Sequence, residues 1–236
     1  MFTKSAQYYD LIYSSFKDYE SEAEKIAHLI QNLNPNAQKI LDVACGTAEH
    51  AKLLNENYNY QVDGIDLDEN LLEIARQKNP NTRFEVADMT NFDLRQKYDI
   101  VMCLFSAIGY VKTLENVRNT LQCFTDHLSP DGLIIVEPWF TPDGWEAGHL
   151  YMKTVESDNL KVCRMSISER VGNLSKLHFE YLIGTTEGIQ HETEFHELGL
   201  FTVEETTQCF ETVGLAVDYD STGISGRGLY TAKAKV

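Results

Sequence analysis

Asp66 and Asp88 each end an apolar run, and together with a glycine turn at Gly46 they can collect at one strand-terminal site. The run Leu41-Asp42-Val43-Ala44-Cys45-Gly46-Thr47 reads as a short apolar strand breaking into a glycine turn, and glycine lets the backbone come close to a ligand at such a break. Gly64-Ile65-Asp66 closes a second apolar run with an acid 24 positions after Asp42. That is roughly the spacing at which a nucleotide-binding α/β unit offers a carboxylate to ribose hydroxyls. A third run ends at Ala87-Asp88-Met89.

Cations and phenols come from elsewhere in the chain. Arg227 stands between two glycines in Ser225-Gly226-Arg227-Gly228, a backbone able to approach a phosphate closely or simply to turn at the surface. Arg164, Ser166, Ser168 and Arg170 alternate with Met165, Ile167 and Glu169, so a strand there puts both guanidiniums on one face, toward a ligand or toward solvent. Ser106-Ala107-Ile108-Gly109-Tyr110 and Glu137-Pro138-Trp139 each follow an apolar run and fall at strand ends. Tyr8, Tyr9, Tyr13 and Tyr19 read as a lid, either packing rings on the domain or turning phenols toward what it binds. His178, between Leu177 and Phe179, faces the opposite way to both. His191 and His196 have the wrong parity to share a strand face, so no metal site is expected.

Taken together, Leu41 to Thr47, Gly64-Ile65-Asp66 and Ala87-Asp88-Met89 resemble the class I S-adenosylmethionine (SAM) methyltransferases. The resemblance implies SAM as cofactor, leaving as S-adenosylhomocysteine. It places Ala44, Gly46 and Glu49 at the amino-acid part of SAM, Asp66 and Leu67 at the ribose, Asp88 and Met89 at the adenine, and Leu104 and Tyr13 nearby. Ala48 stands where the family usually has glycine, and a right-handed helical backbone with slightly tighter packing is expected there. Methyl transfer from a sulfonium is an in-line displacement, so aligning the nucleophile and excluding water are the main tasks.

A narrower resemblance spans nearly the whole chain. Tyr9-Asp10-Leu11-Ile12-Tyr13, Phe105 to Tyr110, Val136-Glu137-Pro138-Trp139 and Ser225-Gly226-Arg227-Gly228-Leu229 are similar to the N,N-dimethyltransferases of dTDP-3-amino-3,6-dideoxyhexoses. By that resemblance Tyr13 and Tyr110 flank the reacting amine, and Ser106, Glu137, Trp139, Arg164, Ser166, His178 and Arg227 hold a nucleotide sugar. Some relatives carry His where this chain has Tyr110, and often Trp where it has Phe140. Methylation of another small amine, carboxylate or phenol uses the same first half, and a non-catalytic SAM sensor is the rival outside enzymology.

The elements that must position these residues follow from periodicity. Helices are expected over 18–33 (with Ser21 and Glu24 as a capping box), 47–57, 68–78, 114–128 and 202–213, and strands over 39–43, 61–66, 83–88, 98–105, 133–136, 215–219 and 229–233. Ser129-Pro130-Asp131-Gly132 reads as a turn. The β-α alternation predicts an α/β fold with a doubly wound, mostly parallel seven-stranded sheet, its ligands at the carboxyl ends of the strands. Between 150 and 200 the pattern changes to strand-like alternation broken at Val171-Gly172-Asn173 and Glu187-Gly188. Residues 1–145 and 201–236 are thus expected to form the SAM-binding core with its lid, and 146–200 an antiparallel β insertion for the substrate.

Composition narrows the partners. The 236 residues carry 36 acids against 20 Lys and Arg, a net charge of −16 that repels nucleic acid and anionic membranes. The five cysteines are scattered without a Cys-x-x-Cys pair, and no apolar run is long enough to span a bilayer, which together point to a cytoplasmic protein with a small-molecule substrate. The insertion's strands offer edges through which a homodimer can form.

Overall fold

The computed structural model describes residues 5–235. Its main sheet is built from β1 (Lys39–Val43), β2 (Gln61–Asp66), β3 (Phe84–Val86), β4 (Tyr98–Cys103), β5 (Leu128–Val136), β10 (Leu215–Asp220) and β11 (Leu229–Ala234), in the order β10-β11-β5-β4-β1-β2-β3. Only β11 runs against its neighbours; the others are parallel. The four intervening strands, β6 (Leu150–Ser157), β7 (Leu160–Val171), β8 (Leu174–Thr185) and β9 (Gly188–Gly199), make a separate antiparallel sheet in sequential order.

The central strands are largely apolar because both of their faces are covered. On β1, Ile40 packs with Ala23, Ile26 and Ile30 of α2 (Tyr19–Leu33), while Leu41 and Val43 point the other way, into a core with Leu121 and Phe124 of α5 (Leu114–Asp126) and Phe210 of α6 (Val203–Thr212). Burying side chains of this size contributes about 1.5–3 kcal/mol each, and two-sided burial is what favours a continuous apolar run over alternation. α3 (Glu49–Tyr58) and α4 (Glu69–Lys78) complete the first layer.

Several boundaries differ from expectation for local reasons. α2 is capped by Asp18, whose carboxylate accepts the Ser21 N–H, rather than by a box starting at Ser21. Residues 129–132 are not a turn but the start of β5, where the register against β4 shifts between Tyr98 and Ile100. Gly132 is required there, since a Cβ would lie 2.5 Å from the Leu128 side chain. α3 starts at Glu49, not at Thr47, because Ala44, Gly46 and Ala48 all adopt left-handed backbone, with φ of 58°, 57° and 59°. Ala48 therefore does not take up the helical backbone expected of it, and a non-glycine residue in that region is strained by about 1–2 kcal/mol.

A short lid precedes α2: a 3-10 turn (Ala6–Tyr8) and α1 (Tyr9–Tyr13). Tyr8, Ile12 and Tyr13 pack on Val162, Phe179, Tyr181 and Ile183, which project from one face of the antiparallel sheet. Ser5 fastens the lid's start to that sheet through its N–H and Oγ, both donated to Glu194 at 2.9 and 2.8 Å. Asp10 fastens its middle to the core: it accepts from Thr47 Oγ1 at 2.6 Å and pairs with Lys78 at 2.9 Å, and Lys78 also pairs with Glu49.

Candidate active site

The carboxyl ends of β1, β2 and β4, the lid and the inner face of the antiparallel sheet enclose a cavity of about 1090 Å³. Its floor is the glycine turn. Asp66 accepts the Gly46 N–H at 2.8 Å and the Asp68 N–H at 2.9 Å, so the second strand's acid holds the first strand's turn open. Burial raises its pKa, and these backbone donors oppose the rise. Asp42 is buried beneath, and burial, reinforced by the charge of Asp66, pushes it up to about 8.

That shift has a definite sign. An ordinary aspartate titrates at about 3.9, so the folded chain keeps a proton that the unfolded chain releases, and this carboxyl lowers stability increasingly as pH rises from about 4 to about 8. Asp42→Asn removes the slope. The variant's gain in thermal midpoint over the parent should widen between about pH 5 and pH 8; a pH-independent difference would refute the assignment.

Outward from the carboxylates, Leu67, Asp88 and Met89 line the open end, Leu67 being exposed beside them. Asp88 is held in place by accepting from the N–H and Oγ1 of Thr90, both at 2.8 Å. The lining fits SAM: half-buried Asp66 and exposed Asp88 offer acceptors to a hydroxyl-bearing ligand, and Leu67, Leu71 and Met89 add apolar surface beside them.

At the other end, Tyr13 sets its ring edge-on to Phe105 at 5.3 Å and lies 5.4 Å from the Arg164 guanidinium. Burial raises the Tyr13 hydroxyl, and Arg164 opposes the rise. Arg164 is 5 % exposed and also faces Phe179 at 5.0 Å; its Nε has no hydrogen-bond partner. Arg227 donates to Ser106 Oγ at 2.9 Å and sits among the rings of Phe105, Trp139 and Phe140 at 5.3 to 5.8 Å. Among the described residues neither guanidinium forms an ion pair with a carboxylate. Tyr110 hydrogen-bonds His196 Nδ1 at 2.8 Å.

Of the residues the sequence singled out, Tyr13, Ala44, Gly46, Glu49, Asp66, Leu67, Asp88, Met89, Leu104, Tyr110, Trp139, Arg164, His178 and Arg227 all line this one cavity. Ser106, Glu137 and Ser166 do not. Ser106 donates to the Pro138 carbonyl at 2.6 Å and supports Arg227 from behind. Glu137 is 2 % exposed, and both of its oxygens are engaged, by the Phe105 N–H at 2.6 Å and by Ser225 Oγ. It ties the loop after β4 to the loop before β11. Arg170 shares the parity of Arg164 but lies beyond the covered part of β7, donating to the carbonyls of Gly172 and Pro142 at the surface. Two features escaped the sequence reading. The Asp10–Lys78 link joins residues 68 positions apart, which no local pattern records. His196 was legible in principle, since strand parity puts it on the inward face with Glu194 and Leu198, all three buried.

Residues 40–132 match the family model described as a methyltransferase domain. The chain is 37 % identical to the dTDP-3-amino-3,6-dideoxy-alpha-D-glucopyranose N,N-dimethyltransferase of Streptomyces fradiae, over 96 % of this chain and 89 % of that one. The crystal structure of Streptomyces venezuelae DesVI superposes with a TM-score of 0.92 at 34 % identity, covering 98 % of each chain. SAM-bound CalS10, an amino pentose methyltransferase from Micromonospora echinaspora, superposes with a TM-score of 0.84 at 31 % identity, over 94 % of this chain and 93 % of that one.

Proposed function

Starting from a chain that belongs to the SAM-dependent methyltransferases, in the family that includes the dTDP-amino-sugar N,N-dimethyltransferases, we propose that it methylates the amino group of a dTDP-linked amino-deoxy sugar. SAM supplies an electrophilic methyl group on a sulfonium. The chain's own task is to bind both partners, keep water out and leave the amine unprotonated.

In this reading Ala44, Gly46, Glu49, Asp66, Leu67, Asp88, Met89 and Leu104 hold SAM, and Tyr13 closes over the reacting end. The acceptor lies between the lid and residues 146–200. The observation that carries the substrate class is the pair of guanidiniums, Arg164 and Arg227, turned into the cavity of a protein with net charge −16 and given no carboxylate of their own. Burying an uncompensated cation is costly, so an anionic group on the ligand completes the site. A diphosphate meets that need, because guanidinium forks match phosphate oxygens. Trp139 supplies a flat apolar wall beside Arg227, its indole N–H satisfied by Ser175 Oγ at 2.8 Å. Five free cysteines suit a reducing cytoplasm, where the reaction is placed.

Mass spectrometry of dTDP-3-amino-3,6-dideoxyglucose after incubation with the protein and SAM tests the reading. One or two methyl increments are expected. No increment, with SAM binding intact, would move the search to other small acceptors and exclude this sugar.

A further inference from the structure

The amine of an amino sugar is largely protonated near neutral pH, as alkylamines generally are, and an ammonium has no lone pair with which to attack a methyl group. Resting on the amine-methylation reading above, we propose that His196 is the proton acceptor of this site, reached through the hydroxyl of Tyr110.

The geometry assembles the relay from two sheets. Tyr110 comes from the 3-10 turn (Ala107–Val111) that follows β4, and its hydroxyl lies 2.8 Å from Nδ1 of His196 on β9. Both residues line the cavity, and His196 is 2 % exposed, with Phe179 set edge-on to its ring at 5.1 Å. On the far side Nε2 lies 3.7 Å from Glu194 Oε2. A neutral imidazole with its hydrogen on Nε2 directs that hydrogen toward the carboxylate and leaves Nδ1 to accept from the Tyr110 O–H.

The transfer then balances without any further reactant. An ammonium N–H passes its proton to the Tyr110 oxygen as the Tyr110 O–H proton passes to His196 Nδ1. The amine keeps the electron pair of the broken N–H bond, the phenol is regenerated, and the imidazolium that forms is flanked by Glu194. Burial raises the Tyr110 pKa, so the phenol conducts the proton rather than standing as a phenolate. Burial lowers the His196 pKa while Glu194 opposes the fall, so the imidazole starts neutral and has a carboxylate nearby once charged. Among the described residues, the charged and titratable groups facing the imidazole are Tyr110 from the 3-10 turn, Glu194 on its own strand and Arg164 from β7, and the positive charge of the chain's amino terminus adds to the lowering of its pKa. Each methylation leaves an ammonium, so a second one needs the relay again.

Two measurements test this separately from the identity of the sugar. First, nitrogen NMR of the full-length protein labelled with 15N-histidine, with His196→Gln identifying the signal, should show Nδ1 unprotonated and Nε2 carrying hydrogen near neutral pH. A protonated Nδ1 would overturn the relay whether or not the sugar is a substrate. Second, with an acceptor that the parent methylates, Tyr110→Phe and His196→Gln should each lower kcat about a hundredfold, the low end for proton-transfer catalysis, with SAM affinity unchanged. The loss should shrink as pH is raised toward the pKa of the amine, where solvent supplies the free base. A loss that is the same at every pH marks a packing role and refutes the proposal, as does full activity in both variants.

Discussion

Arg227→Ala raises the dissociation constant for the nucleotide sugar, or for dTDP alone as a competitor, by about 10- to 150-fold, and leaves SAM binding unchanged. The magnitude follows from losing a charge-assisted contact to phosphate, about 1.5–3 kcal/mol, with about 1.4 kcal/mol per decade of affinity. In the protein as it stands the guanidinium is held ready by Ser106 and by three rings, so little ordering remains to be done on binding. Arg227→Lys recovers the charge but not the fork and should restore only part of the affinity. Isothermal titration with dTDP and, separately, with SAM reads both constants. Equal weakening of the two would mean that the substitution unravels the loop, and the phosphate role would fall.

Asp66→Ala should act on the other half of the cavity, raising the SAM dissociation constant by a similar factor while dTDP binding is nearly unchanged. The carboxylate has two tasks, and the substitution removes both. It loses an acceptor for the ligand's hydroxyls, and it releases the Gly46 and Asp68 N–H groups that shape the turn. Asp66→Asn separates them, since the amide oxygen can still serve one N–H. If titration gave the alanine variant the parental constant for SAM, the ribose assignment would be wrong.

What could be read from the chain alone divides along a physical line. The strands that carry Asp42, Asp66 and Asp88 announce themselves because a parallel strand buried on both faces must be apolar over a short contiguous run, and the helices between them because one face repeats every three or four residues. The glycine turn was equally plain, yet its conformation was not. Ala48 looks like an ordinary helix residue, and only the adjoining left-handed positions 44 and 46 reveal that it shares their backbone. Side chains at strand ends were harder still. Glu137 and Trp139 are two residues apart, and the indole borders the cavity while the carboxylate turns inward to brace two loops. Which of the two meets a ligand depends on where Phe105 and Ser225 come to rest, 32 and 88 positions away. Arg170 was left open between ligand and solvent for a similar reason: parity gives the face of a strand but not where the cover over that face stops.

The reversal of β11 bears on how the enzyme can be re-engineered. Because β10 runs with the sheet and β11 against it, the loop joining them, residues 221–228, emerges on the same edge as the glycine turn and delivers Arg227 to the cavity. Its frame is rigid: a Cβ on Gly223 would strike Gly228, and one on Gly228 would strike Tyr219, while Ser225 is bound to Glu137 and the Ile224 carbonyl to Lys25. A library that keeps these fixed points and varies position 227 alone therefore exchanges one cavity-lining side chain on a constant mount, and on the phosphate role proposed for Arg227 it is expected to change acceptor preference with the SAM half of the molecule untouched.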